Sequence, residues 1–198
     1  MTVVRSHTRV PSPRRREILD AAATLFAARG FHGVPIEEIG GAVGISGPAL
    51  YRHFSGKDAL LSEILLDISE RLRTSAADRV TQAAGGGETL DALISGHIDF
   101  ALDEPALITV HDRELGNVPE PARRQIRRLQ RLYAEEWVTV LSELYPGVRP
   151  PVLRAATHAV FGLLNSTPHS AGELARDAMS DLLHRMARAA LADLVNER

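Results

Sequence analysis

The chain has no cysteine among its 198 residues, which removes disulfides, thiolate zinc sites and a catalytic thiol together. Aromatic residues make up only 5% and tryptophan occurs once, while Ala and Leu dominate, as suits an all-helical protein. No segment approaches the ~20 apolar residues of a membrane span, and the N-terminus carries Arg5 and Arg9 without an apolar core. A cytoplasmic location with no membrane partner is expected. Catalytic signatures are missing too: there is no Gly-x-Ser-x-Gly, no phosphate loop and no His-Glu-x-x-His, so an enzyme is the remote reading and no cofactor is implied. No internal repeat or low-complexity tract appears. Lysine is almost absent, Lys57 being the only one.

The net charge of −2 conceals an uneven distribution. Residues 1–58 hold eight basic and five acidic side chains, a balance of +3, which leaves −5 for the remainder. One end is basic and the body acidic.

The basic end holds the most informative stretch, Ile36 to Asp58. Ile36, Ile39 and Val43 recur at helical intervals and place one face of a short helix against a core. Gly44 can take the positive φ that ends it, Ile45 is apolar in the turn, Ser46 fits an N-cap, and Pro48 falls in the next helix's first turn. Leu50 and Phe54, four apart, point inward and leave Gly47, Pro48, Ala49, Tyr51, Arg52 and His53 outside or on the flanks. Such a helix can approach a major groove closely.

Gly30-Phe31, Ile36-Glu37-Glu38-Ile39, Gly44-Ile45-Ser46 and Leu50-Tyr51-Arg52-His53-Phe54 with Lys57 together resemble the helix-turn-helix domain of the TetR family of bacterial transcriptional regulators, over about residues 14 to 60. The resemblance implies that Ser46, Gly47, Pro48 and Ala49 bring the backbone to the bases. Tyr51, His53 and Lys57 would hold phosphates, and Arg52 would reach a guanine. Family members usually carry Thr or Ser where this chain has Val34-Pro35, and often Lys and Thr where it has Gly47 and Ala49.

The rest of the chain reads as helices. Residues 1–13 form an aperiodic, disordered basic arm and residues 14–60 the DNA-binding domain. Residues 61–198 follow as an effector-binding and dimerisation domain. The expected fold is all-α: a three-helix unit joined by a long helix, Lys57 to about Ala84, to a C-terminal bundle. Gly85-Gly86-Gly87 breaks that helix. Helices are expected over Thr89–Asp103, Pro105–Leu115, Glu120–Tyr145, Val152–Asn165 and Ala171 to about Glu197. The last carries Leu174, Ala178, Leu182, Met186, Ala189 and Leu191 as its apolar face. Arg123 to Arg131 reads as a solvated face balanced by Glu120, Glu135 and Glu136, with an anion-binding patch the alternative.

In the resembling family such a bundle holds a ligand and makes the dimer, and the last two helices suit a homodimer on palindromic operator DNA. For a small-molecule effector the candidates are His97, Phe100, His111, Trp137, Phe161 and Asn165, with Asp112, Arg113, His158 and His169 as further polar groups. No metal is expected, because His97, His111 and Asp112 lack ligand spacing on one helix. The function implied is a repressor released by a hydrophobic molecule, an acyl-CoA or fatty-acid-like compound among the candidates. An activator or accessory module of the same fold is the alternative.

Overall fold

The computed structural model describes residues 12–170, 172 and 174–195, and among them there is no strand. Residues 1–11, most of the expected basic arm, lie outside the described residues. Helix α1 (Pro13–Arg29) begins at the end of that arm because Ser12 caps it: its Oγ accepts the Arg15 N–H at 3.4 Å, and Pro13 fills a first-turn position that needs no donor.

The reading motif follows as α2 (Ile36–Ala42) and α3 (Gly47–Leu50). Gly44 turns the chain between them with φ +69°, and the Ile45 N–H returns to the Gly40 carbonyl at 2.9 Å. Gly40 is there for space: a Cβ would stand 2.8 Å from the Ile45 carbonyl oxygen. Regular α-helix in α3 lasts only four residues. Tight turns continue it, with the His53 and Phe54 N–H groups donating to the Leu50 carbonyl, and keep Leu50 and Phe54 buried.

Helix α4 (Lys57–Gln82) has 26 residues, about 39 Å at ~1.5 Å per residue. Leu60, Leu61, Ile64, Leu65 and Ile68 complete the core under α1 to α3, whereas Ala76 belongs to the core of the bundle. The bundle comprises α5 (Gly86–Asp103), α6 (Pro105–Glu114), α7 (Ala122–Leu144), α8 (Pro150–Leu164), the single turn α9 (Thr167–Ser170) and α10 (Arg176–Ala192). Its core gathers Trp137, the largest wholly buried side chain, with Leu90, Leu93, Ile94, Leu141 and Leu164 among others. Helix α6 packs on α1, and its Ile108 and Val110 join the N-terminal core, so the reading unit is continuous with the bundle there.

Several expected boundaries move. The break in the glycine triplet falls at residues 83–85, and Gly86 and Gly87 enter the first turn of α5. The last helix differs most. The helix expected from Ala171 starts at Arg176 as α10, with the turn α9 standing before Ala171, and the buried stripe is Met179, Leu183, Ala187 and Leu191. Ala178, Met186 and Ala189 face outward, Leu182 is half-buried, and Leu174 precedes the helix, exposed. The cause is that α10 is apolar on two sides. One row at i, i+4 packs against α5 and α8, and no described residue of this chain covers the other. The basic face of α7 is also balanced differently from expectation. Glu120 pairs with Arg123 and Arg124, but Glu135 is taken by Arg154 of α8, and Arg127, Arg128 and Arg131 have no ion-pair partner among the described residues.

Candidate nucleic-acid interface and effector cavity

The N-terminal three helices are stapled by cations. Arg14 donates to the Val43 carbonyl at 2.5 Å, closing α1 onto the turn of the motif. Arg15 reaches the His53 carbonyl, pairs with the Glu63 carboxylate, and lies over the Phe54 ring at 3.9 Å. Arg16 pairs with Asp67 at 2.8 Å. Much of the positive charge counted at this end therefore holds α3 in place. Lys57 does so as well, donating to the Val34 carbonyl at 3.0 Å with its ammonium 4.5 Å from the Phe31 ring centre. Two of its three N–H bonds remain for a phosphate.

Ser46 caps α3, its hydroxyl accepting the Ala49 N–H at 3.4 Å. Pro48, Tyr51 and Arg52 stand out from the surface, with Tyr51 53% exposed, while Gly47, Ala49 and His53 are half-buried. The side chains of Tyr51, Arg52 and His53 have no partner among the described residues. Small residues at a helix start, flanked by an unpaired guanidinium and phenol, form a surface able to meet base edges and phosphate oxygens.

The second feature is a cavity of about 220 Å³ inside the bundle, walled by α4, α5, α6, α7 and α8. Five of the six effector candidates line it: His97 and Phe100 from α5, His111 from α6, Phe161 from α8 and Asn165 from the cap that follows α8. Trp137 is wholly buried behind this wall, its ring edge-on to His97 and Phe161 at 6.1 and 5.1 Å between centroids. Sequence reasoning missed Gln130 and Tyr133, although they stand seven and four residues before Trp137 on one face of α7. It also missed Ile68, Ser69 and Leu72, which α4 contributes. His158 sits at the rim, exposed on α8.

His97 is the polar centre. Its Nδ1 lies 2.8 Å from the Tyr133 hydroxyl and its Nε2 2.9 Å from Asn165 Oδ1. Because Oδ1 can only accept, Nε2 carries the proton and Tyr133 donates to Nδ1. Burial pushes the His97 pKa down to about 4, against the pull of the Asn165 contact, so the ring is neutral. Burial likewise pushes the Tyr133 phenol up, countered in part by the nearby Trp137 indole. The Trp137 N–H itself meets no acceptor in hydrogen-bonding geometry. His111 is separate from this group, its Nδ1 3.3 Å from Asp112 and its Nε2 2.7 Å from the Gln130 amide nitrogen. The structure thus does not gather His97, His111 and Asp112 around one point.

Cavity and reading unit share α6. One turn after His111, the buried Glu114 carboxylate accepts the Phe31 N–H at 3.1 Å and the Asn117 amide at 2.6 Å. Asn117 in turn meets His32 at 3.0 Å. The end of α6 therefore grips the α1–α2 loop, and Phe31 in that loop lies under Lys57. No feature of the sequence singled out Glu114.

Three short helices locked around a positive-φ turn, with the third left exposed, define a helix-turn-helix protein. Comparison supplies the family. Residues 18–64 match the family model described as bacterial regulatory proteins, tetR family. Residues 83–191, over half the chain, match the tetracyclin repressor-like C-terminal domain. The chain belongs to the TetR family of transcriptional regulators.

Among relatives, the transcriptional repressor KstR2 of Rhodococcus jostii RHA1 is 30% identical over 131 residues, covering 66% of this chain and 64% of that protein. A TetR-family regulator from Bordetella parapertussis superposes with a TM-score of 0.81 at 20% identity, over 89% of this chain and 95% of that one. FadR of Bacillus subtilis, solved with stearoyl-CoA, gives 0.71 at 18% identity, over 91% and 97%. The latter two establish the fold alone.

Proposed function

We propose that the protein is a ligand-responsive repressor acting in the cytoplasm, which binds a palindromic operator as a homodimer and is released by a hydrophobic small molecule. In this reading residues 14–60, preceded by the basic residues of 1–13, read the DNA, and residues 61–198 hold the effector and dimerise. The observation that carries it is the double engagement of α6, which lines the cavity with His111 and holds the α1–α2 loop with Glu114. An effector that shifts α6 moves the reading unit directly, a two-state element biased from one end. The repressor relative and the stearoyl-CoA complex of FadR favour repression and an acyl-CoA or fatty-acid-like effector.

Dimerisation through α8 and α10 accounts for their outward faces. Ala155, Ala159 and Gly162 on α8 and Ala178, Met186 and Ala189 on α10 are exposed, small or apolar, and suited to a four-helix interface. Two reading heads on such a dimer would sit about 34 to 36 Å apart, one turn of DNA.

The test is a gel-shift titration on the DNA upstream of the protein's own coding region. Tyr51→Ala combined with Lys57→Ala is expected to weaken binding at least about tenfold, two phosphate contacts being lost. Unchanged affinity would refute the assigned interface. Expression of a reporter in a deletion strain rises for a repressor and falls for an activator.

A further inference from the structure

The cavity walls give a description of what they hold, resting on the reading of the cavity as an effector site. No Asp, Glu, Lys or Arg is among the residues lining it. A full charge inside would thus lose its hydration and find no counter-ion in exchange. None of the three histidines in the lining provides one: His97 is buried and hydrogen-bonded at both nitrogens, His111 already faces Asp112 and Gln130, and His158 stands exposed at the rim.

The hydrogen bonds leave specific groups free. With Oδ1 accepting from His97, the Asn165 amide nitrogen keeps two N–H donors with no partner among the described residues. The Ser69 hydroxyl is already committed to the Leu65 carbonyl at 2.8 Å, and the Gln130 amide nitrogen spends one of its two N–H bonds on His111 and keeps one. One wall is aromatic: the His97, Tyr133 and Phe161 rings stack on one another with an offset, within 26° of parallel and with centroids 5.0 to 5.8 Å apart. The volume of about 220 Å³ exceeds the ~150 Å³ that accommodates benzene and falls short of the ~300 Å³ at which drug-sized sites begin.

We propose that the cavity takes an uncharged apolar group about the size of one substituted ring, carrying a carbonyl oxygen that docks on the Asn165 amide N–H. The carbonyl belongs either to a free ketone, ester or amide or to the acyl end of a larger thioester whose remainder stays outside. A carboxylate is excluded, so of the acyl-CoA and fatty-acid-like compounds named above only the thioester or an uncharged derivative remains.

Four probes test this: methyl benzoate, benzoate, toluene and benzoyl-coenzyme A, followed by the emission of Trp137, the chain's sole tryptophan, which stands edge-on to all three wall rings. Methyl benzoate is expected to bind saturably and at least about a hundredfold more tightly than benzoate, the latter having to leave its charge unpaired. Asn165→Leu should weaken methyl benzoate about three- to tenfold, the worth of one hydrogen bond, and leave toluene unweakened, which also shows that the variant is folded. Asn165→Ala serves the same comparison if leucine disturbs the end of α8. Binding of benzoyl-coenzyme A in competition with the ester assigns the carbonyl to a thioester, and its failure to bind assigns it to a free compound.

The inference is overturned if methyl benzoate does not bind, if benzoate binds as tightly, or if both Asn165 variants bind the ester like the parent. Release of labelled upstream DNA is measured separately. Ester binding with the stated selectivity but no release would remove ligand control and leave the cavity chemistry standing. Release by benzoate without ester selectivity would do the reverse.

Discussion

His97 carries a consequence that stability measurements can read. Its folded pKa of about 4 lies below the ordinary histidine value of 6.5, so between those pH values the unfolded chain binds a proton that the folded one refuses. Stability is therefore unaffected by this group above pH ~6.5, falls as the pH drops toward 4 by up to about 1.4 kcal/mol per unit, and levels off below. Urea unfolding at a series of pH values should show that slope, and His97→Gln should flatten it. A parent and variant with parallel profiles would place the histidine in contact with solvent. At Ser46, substitution by Ala removes the cap of α3 and is expected to cost about 1 kcal/mol. Because α3 is so short, the same change should weaken operator binding as well as lower the denaturation midpoint.

At the level of elements, the approach of α2 to the turn and the hold of α6 on the α1–α2 loop decide how the reading head is set. Gly40→Ala forces a methyl group to 2.8 Å from a backbone oxygen that the α2–α3 turn cannot easily withdraw. A loss of roughly 1–3 kcal/mol is expected, with operator affinity reduced even at temperatures where the variant stays folded. Glu114→Ala leaves the Phe31 N–H buried without its acceptor, which should cost about 1–3 kcal/mol in urea unfolding. The same variant should lose most of the change in operator affinity that an effector produces. A full response to effector in Glu114→Ala would show that the signal travels through α4 instead.

For the whole molecule, the second apolar row of α10 is the deciding feature. Met186→Arg and Ala159→Arg each place a charge on the outward faces of α10 and α8, at positions that are exposed and belong to neither buried core. Both should leave the helical signal intact and convert a dimer to a monomer in sedimentation, with operator binding falling in step as the linked second head is lost. A parent chain that sediments as a monomer would end the dimer reading.

The local elements were legible because local rules governed them. Ser46, Pro48 and Gly44 announce a turn and a capped helix through backbone preferences that act within a few residues, and the Leu50–Phe54 spacing gives the buried side of the motif. The family resemblance and the all-α architecture rest on signals of that range. Most of the cavity candidates were found for a related reason: polar and aromatic side chains on otherwise apolar helices have to meet something. What the sequence alone could not decide was which of two apolar rows on α10 faces the core, that Lys57 and Arg15 hold the motif together, that Glu135 turns to Arg154, and that Glu114 joins α6 to Phe31. Each depends on a partner tens of residues away. Periodicity specifies the faces of a helix, and only the packing of all the helices at once determines what each face meets.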